Sequence, residues 1–201
     1  MERGSPVDEL RKDHQAILTD ARDLEATVRG LGTNRNQAQD AVSGSLRTRV
    51  EMLRDGMHAH FRREEDGLFP EAQRLVAETE GRVDVVSRFF AEEGEDDFNA
   101  HSVLMIRTAE MVKLLDGVEQ AGRLDEQVLA RLRTLMNLTR SLLERHAEKE
   151  DKLIFPMVER ALKPEQMDLV RARIEALPSR EDLRGTETGK AGDPGLRGLG
   201  D

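Results

Sequence analysis

Apolar residues in the first thirty positions step by three and four, through Val7, Leu10, His14, Ile17, Ala21, Leu24 and Val28. That stepping keeps one face of a 3.6-residue helix apolar and predicts a helix buried along it. Ser5 as N-cap, Pro6 at the first helical position and Asp8 and Glu9 in the first turn mark its start, and Gly30 to Asn36 ends it. A second stripe, Leu46, Val50, Leu53, Met57, His60 and Glu64, predicts a helix opening at about Gln37 or Ser43 and running to Asp66. Phe69-Pro70 should end or kink it, because proline cannot continue a regular helix, and Glu71 to Ala77 reads as a short amphipathic turn. The third helix, roughly Glu95 to Gln120, carries Asp97, His101, Leu104, Thr108, Met111, Leu115 and Val118, and Gly122 closes it. The fourth opens near Asp125 and Glu126 and carries Val128, Leu132, Leu135, Thr139, Leu142, His146, Glu150 and Leu153 before Phe155-Pro156. A fifth amphipathic piece starts at Pro164 and uses Met167, Val170, Ile174 and Leu177.

Between the second and third helices, Val83, Val85, Val86, Phe89 and Phe90 lie between Gly81 and Gly94, which fits a short accessory helix or lid. From Pro178 onward the chain is Gly-rich, polar and without period, the pattern of a disordered tail. Four long amphipathic segments, joined by connections of modest length except over 78–96, predict an all-α, up-down-up-down four-helix bundle over residues 5–177, with short accessory helices and a disordered tail over 178–201. Charged residues at 35% and aromatics at 3% agree with an all-helical chain.

A net charge of -9 without a clustered Lys/Arg surplus argues against nucleic acid or an anionic membrane as partner. The N-terminus has no basic-then-apolar signal pattern and no run approaches the length of a membrane span, so the expected location is cytoplasmic. With no cysteine, thiolate-ligated zinc and iron-sulfur clusters are excluded, and any metal must be held by histidine and carboxylate. The absence of tyrosine and tryptophan removes the phenolate ligand and the usual protein radicals.

One motif occurs twice. His60 and Glu64 precede Phe69-Pro70, and His146 and Glu150 precede Phe155-Pro156, in matched register. Residues four apart on a helix are neighbours, so each pair lets an imidazole and a carboxylate address one ion. The histidines repeat as well: His14 and His60 are 46 residues apart, and His101 and His146 are 45 apart. A duplicated two-helix unit would place all four at comparable heights. The candidate metal ligands are therefore His14, His60, Glu64, His101, His146 and Glu150. Burying two carboxylates without a cation is costly, so the pattern itself asks for a divalent or trivalent metal. Two six-coordinate ions need about twelve ligand positions and these side chains supply about eight, which leaves room for a solvent-derived bridge and an exogenous ligand. A mixed nitrogen and oxygen set suits iron or manganese pairs better than calcium or structural zinc.

At these residues the sequence resembles the hemerythrin-like, HHE cation-binding family. The resemblance covers most of residues 10 to 177 and rests on His14 in its Leu10 to Ile17 context, on the two His-x3-Glu copies with their Phe-Pro, and on His101. It implies a carboxylate-bridged, non-haem di-iron centre in a four-helix bundle, among relatives that bind oxygen, sense oxygen or iron, or react with peroxide or nitric oxide. This chain departs from the oxygen-carrying members in two places. Their third helix has a His-x3-His pair, and here the upstream position is Asp97. Their last carboxylate is five residues after its histidine, whereas here both Glu150 and Asp151 are available, and Glu150 repeats Glu64. A poorer nitrogen set favours the higher oxidation state, hence redox turnover or sensing over reversible oxygen carriage. The expected function is a di-iron protein that binds or senses oxygen, nitric oxide or iron status, with turnover of hydrogen peroxide as the alternative.

Other residues have plainer readings. His58 lies about 200° round the helix from His60 and reads as a solvated surface residue. Glu65 and Asp151 read as groups beside the ligands or at the surface, and Asp97 equally as ligand or as a first-turn acid. Thr108 and Thr139 fit bonds to their own helix carbonyls, and Met52, Met57, Met105, Met111 and Met136 fit packing. The Glu-x-x-His of ferritin-like sites and the His-Glu-x-x-His of zinc proteases are both absent from the chain.

Overall fold

The structure is a computed structural model that describes residues 5–31, 39–78, 94–121, 124–180 and 182–183, and among these residues it is helical with no strand. In chain order the helices are α1 (Pro6–Leu31), α2 (Gln39–Arg62), α3 (Phe69–Glu78), α4 (Gly94–Ala121), α5 (Glu126–Lys149), α6 (Phe155–Ala161) and α7 (Pro164–Glu175). Two π-helical turns, π1 (Arg63–Leu68) and π2 (Glu150–Ile154), join α2 to α3 and α5 to α6. Local chemistry sets the starts. The Ser5 N–H donates to the Asp8 carboxylate at 3.1 Å, and Asp125 accepts from the Val128 N–H at 2.9 Å, each satisfying a donor that has no partner within the helix.

Of the long helices, α1 packs on α2 and α5, and α4 packs on α2 and α5, so the contacts close into a ring. The whole predicted α1 stripe is buried. On α5 the buried set is Leu129, Leu132, Leu135, Met136, Thr139, Leu143, His146 and Ala147, while Val128 and Leu142 are only half-buried. Lying against both α1 and α4 gives α5 a wider buried face than a single stripe of threes and fours describes.

At Phe69-Pro70, where the sequence predicts that the helix ends or kinks, and at Phe155-Pro156, the chain stays helical through a π turn. Proline has no N–H to give, so one carbonyl upstream loses its claimant and the preceding turn takes up an extra residue. In π1 the Phe69 N–H reaches back to the Glu64 carbonyl, and in π2 the Phe155 N–H reaches back to the Glu150 carbonyl. The inserted residue moves the downstream register by one position. Leu153, predicted on the buried stripe, is 55% exposed, and Ile154 is 2% exposed in its place. Ile154→Ala should therefore cost about 2–5 kcal/mol in urea unfolding, while Leu153→Ala stays within about 0.5 kcal/mol. Equal effects would place the register elsewhere.

Two apolar clusters result. One holds Ile17, Leu24, Leu53, Met57, Phe61, Leu104, Leu115, Leu132 and Leu143, and the other holds Val7, Leu10, Leu68, Phe69, Ile154, Phe155, Val158, Val170 and Ile174. Along α1, α2–π1 and α5–π2 the candidate ligands fall between the two. The second cluster exists because α7 folds back onto π1. A Cβ on Gly67 would stand 2.8 Å from Ile174 Cγ1, so only glycine admits that approach. Buried Glu71 ties α3 to α7 through Arg173 at 3.0 Å and also pairs with Arg74 at 3.0 Å.

Residues 79–93, expected as an accessory helix or lid, lie outside the described residues, as does the side chain of Asp97. At the head of the stretch expected as a tail, Arg180 is buried, ion-paired with Asp20 and packed on Gly56, and residues 184–201 lie outside the described residues.

Candidate metal centre

Helical spacing makes the first contacts. His60 Nε2 is 3.0 Å from Glu64 Oε1, and His146 Nε2 is 3.3 Å from Glu150 Oε2, each pair one turn apart. Packing adds the rest. His14 Nε2 from α1 is 3.0 Å from Glu150 Oε2 and 3.6 Å from Glu64 Oε1. His101 Nε2 from α4 is 3.4 Å from Glu64 Oε2 and 3.2 Å from His146 Nε2. One ligand atom from each of His14, His60, Glu64, His146 and Glu150 lies within 4.8 Å of all the others. His101 stands at the edge of that group. All six side chains are buried, and both carboxylates are 0% exposed.

A second layer faces the outer ring nitrogens. His14 Nδ1 is 3.0 Å from Asp151 Oδ1, His101 Nδ1 is 2.7 Å from Glu65 Oε1, and His60 Nδ1 is 3.6 Å from Asp13 Oδ2. Asp13 is itself ion-paired with buried Arg63, which also holds Glu9. Phe61 stacks on His101 with centroids 3.8 Å apart, and Phe155 stacks on His14 at 5.5 Å. Glu65 and Asp151 thus fall beside the ligands. His58 is exposed, and the Thr108 hydroxyl donates to the carbonyls of Leu104 and Met105. Sequence reasoning missed Asp13 and Arg63. Asp13 directly precedes His14, but its approach to a histidine on α2 depends on how α1 and α2 pack, which spacing does not carry.

The protonation chemistry is that of a site short of positive charge. Burial works against the charged imidazole of His14, yet Asp151, Glu150 and Glu64 together hold its pKa well above the ordinary value. His101 is pushed up to about 9, with burial opposing and Glu64 and Glu65 prevailing. Burial would raise Glu64, but His60, His101 and His14 hold it well below the usual carboxylate range. Burial and the charge of Glu64 push Glu150 upward. Carboxylates in this dry pocket thus favour the protonated forms of His14, His60 and His101, and a bound cation would displace those protons.

The donor set fits a metal by a direct structural criterion. Both oxygens of Glu64, both oxygens of Glu150, and the Nε2 atoms of His14 and His60 are buried without a hydrogen-bond partner. The Nε2 atoms of His14 and His60 lie 3.0–3.6 Å from carboxylate oxygens of Glu64 and Glu150, within a group whose ligand atoms are all within 4.8 Å of one another. Leaving a buried carboxylate oxygen unsatisfied costs about 1–3 kcal/mol, more when it is charged, and a cation at the centre would satisfy all of these atoms at once.

Residues 4–97 match the family model of the hemerythrin HHE cation binding domain. No curated protein matches the chain. The hemerythrin match takes in α1, α2, π1 and α3, and with them His14, His60 and Glu64. It stops before His101. The other candidate ligands, His101, His146 and Glu150, lie outside the match and come to the same centre through the repeated motif and the packing of α4 and α5. The HHE match and the buried His/Glu cluster together point to metal binding.

Proposed function

We propose that the chain is a hemerythrin-like, non-haem di-iron protein that binds or senses a small ligand such as oxygen, nitric oxide or iron status. Its scaffold is one up-down-up-down four-helix bundle spanning about residues 5–177, acting in the cytoplasm. The observation that carries this reading is the set of buried, unsatisfied carboxylate oxygens of Glu64 and Glu150, met by histidine Nε2 atoms from α1 and α2. The alternating topology is supported by which ends meet: the early part of α1, the end of α2, the early part of α4 and the end of α5.

His14, His60, His101 and His146 would supply the nitrogen ligands, and Glu64 and Glu150 the bridging carboxylates. Iron in such a nitrogen and oxygen set supplies redox and small-ligand binding chemistry; manganese is the other metal the set suits. The protein's part is to keep the six side chains dry and in place. Apolar clusters on both sides exclude water, and Phe61 and Phe155 lie flat against His101 and His14 and limit ring rotation. Glu65 and Asp151 take up the outer ring nitrogens of His101 and His14, and Asp13 lies 3.6 Å from that of His60.

The test is metal content and an optical spectrum of protein purified without oxygen, followed by air and then hydrogen peroxide. About two irons per chain and a stable, reversible change of the charge-transfer bands are expected. Sustained oxygen release from peroxide would favour a peroxide-degrading enzyme, and folded protein free of metal after iron-replete expression would overturn the reading.

A further inference from the structure

Both copies of the motif carry a second acid directly after the first: Glu64 is followed by Glu65, and Glu150 by Asp151. Consecutive helical residues point about 100° apart, so only one of each pair can face the bundle centre. The other reaches sideways to a neighbouring helix. Glu65, from the turn after α2, meets His101 Nδ1 on α4 at 2.7 Å, and Asp151, from the turn after α5, meets His14 Nδ1 on α1 at 3.0 Å. Each half of the duplicated chain therefore grips a histidine of the other half.

We propose that Glu65 and Asp151 are positioning residues that each accept the Nδ1–H of a histidine from the opposite helix pair and so aim its Nε2 at the metal centre. An ionised carboxylate accepts only, so the proton in each contact sits on Nδ1. That leaves Nε2 as the coordinating nitrogen, and in both rings Nε2 is the atom that lies against Glu64 or Glu150. The matched arrangement argues against chance. A surface acid has no reason to recur at the same motif position in both halves and to reach, each time, the outer nitrogen of a buried histidine. The Phe stacks constrain the same two rings from their faces, so each ring is held on its face and at its outer nitrogen. His60 has a comparable neighbour in Asp13, but that contact is longer and is shared with Arg63.

The inference deepens the metal-binding reading and rests on it. Its test uses Glu65→Ala, Glu65→Gln, Asp151→Ala and Asp151→Asn in the full chain, loaded with zinc as a diamagnetic probe. Chelator competition should show each alanine variant binding zinc about 10- to 100-fold more weakly than the parent. The Gln and Asn variants keep an oxygen acceptor and should recover most of that loss. Ring-nitrogen NMR supplies a readout that a purely structural role would not move. In the parent, the Nδ1–H protons of His14 and His101 should exchange slowly with solvent, and each should become fast-exchanging only in its own alanine variant. Unchanged zinc affinity with unchanged Nδ1–H exchange would overturn the proposal. A parent that binds no metal but shows the protected protons would overturn the metal reading and leave the histidine grip standing.

Discussion

His60→Ala and Glu150→Ala should each lose most of the bound metal, while His58→Ala keeps the parent's full content. The first two remove groups from the convergent cluster: His60 and Glu150 are both buried and belong to the set whose ligand atoms lie within 4.8 Å. The expected loss of affinity is on the order of 100-fold, which converts to about 3 kcal/mol. His58, two residues from His60 and equal to it in chemistry, is exposed on the opposite side of α2. Comparing the two separates a site effect from the loss of any histidine. Metal content by elemental analysis, with helicity by circular dichroism as the folding control, decides the matter. Full retention in the first two variants would refute the site as drawn.

Phe155→Ala should destabilise the protein by about 3–5 kcal/mol and weaken metal binding as well. Phe155 is 0% exposed, sits in the cluster built by α1, α3, α6 and α7, and stacks on His14 with an interplanar angle of 8°. The Arg11 guanidinium lies 5.6 Å from its ring centre, held there by Glu159 at 3.0 Å. Truncating the ring opens a cavity beside the candidate ligand His14, which loses the surface that keeps it flat. Urea unfolding of metal-free protein reads the first effect, and chelator competition reads the second. A loss below about 1 kcal/mol would mean that the cluster collapses around the gap, against the close packing on Gly67 and Ile174.

The sequence by itself determined the helical character of the chain and most of the buried His/Glu cluster. The α1 stripe from Val7 to Val28 is buried residue for residue, because a helix that buries one face repeats that face every three or four positions. His60 with Glu64 and His146 with Glu150 were legible for the same reason, since spacing along one helix sets their contact. His14 and His101 were legible through the repeat of the whole two-helix unit. Only the tertiary structure decided the rest. The π turns at Arg63–Leu68 and Glu150–Ile154 arise where proline withdraws a donor, and they exchange Leu153 for Ile154 in the core. In the chain Glu65 and Asp151 read as groups beside the ligands or at the surface and Asp13 carries no signal, and which histidine Nδ1 each approaches depends on which helices lie side by side. Periodicity carries which face a residue takes on its own helix; it does not carry which neighbour that face meets.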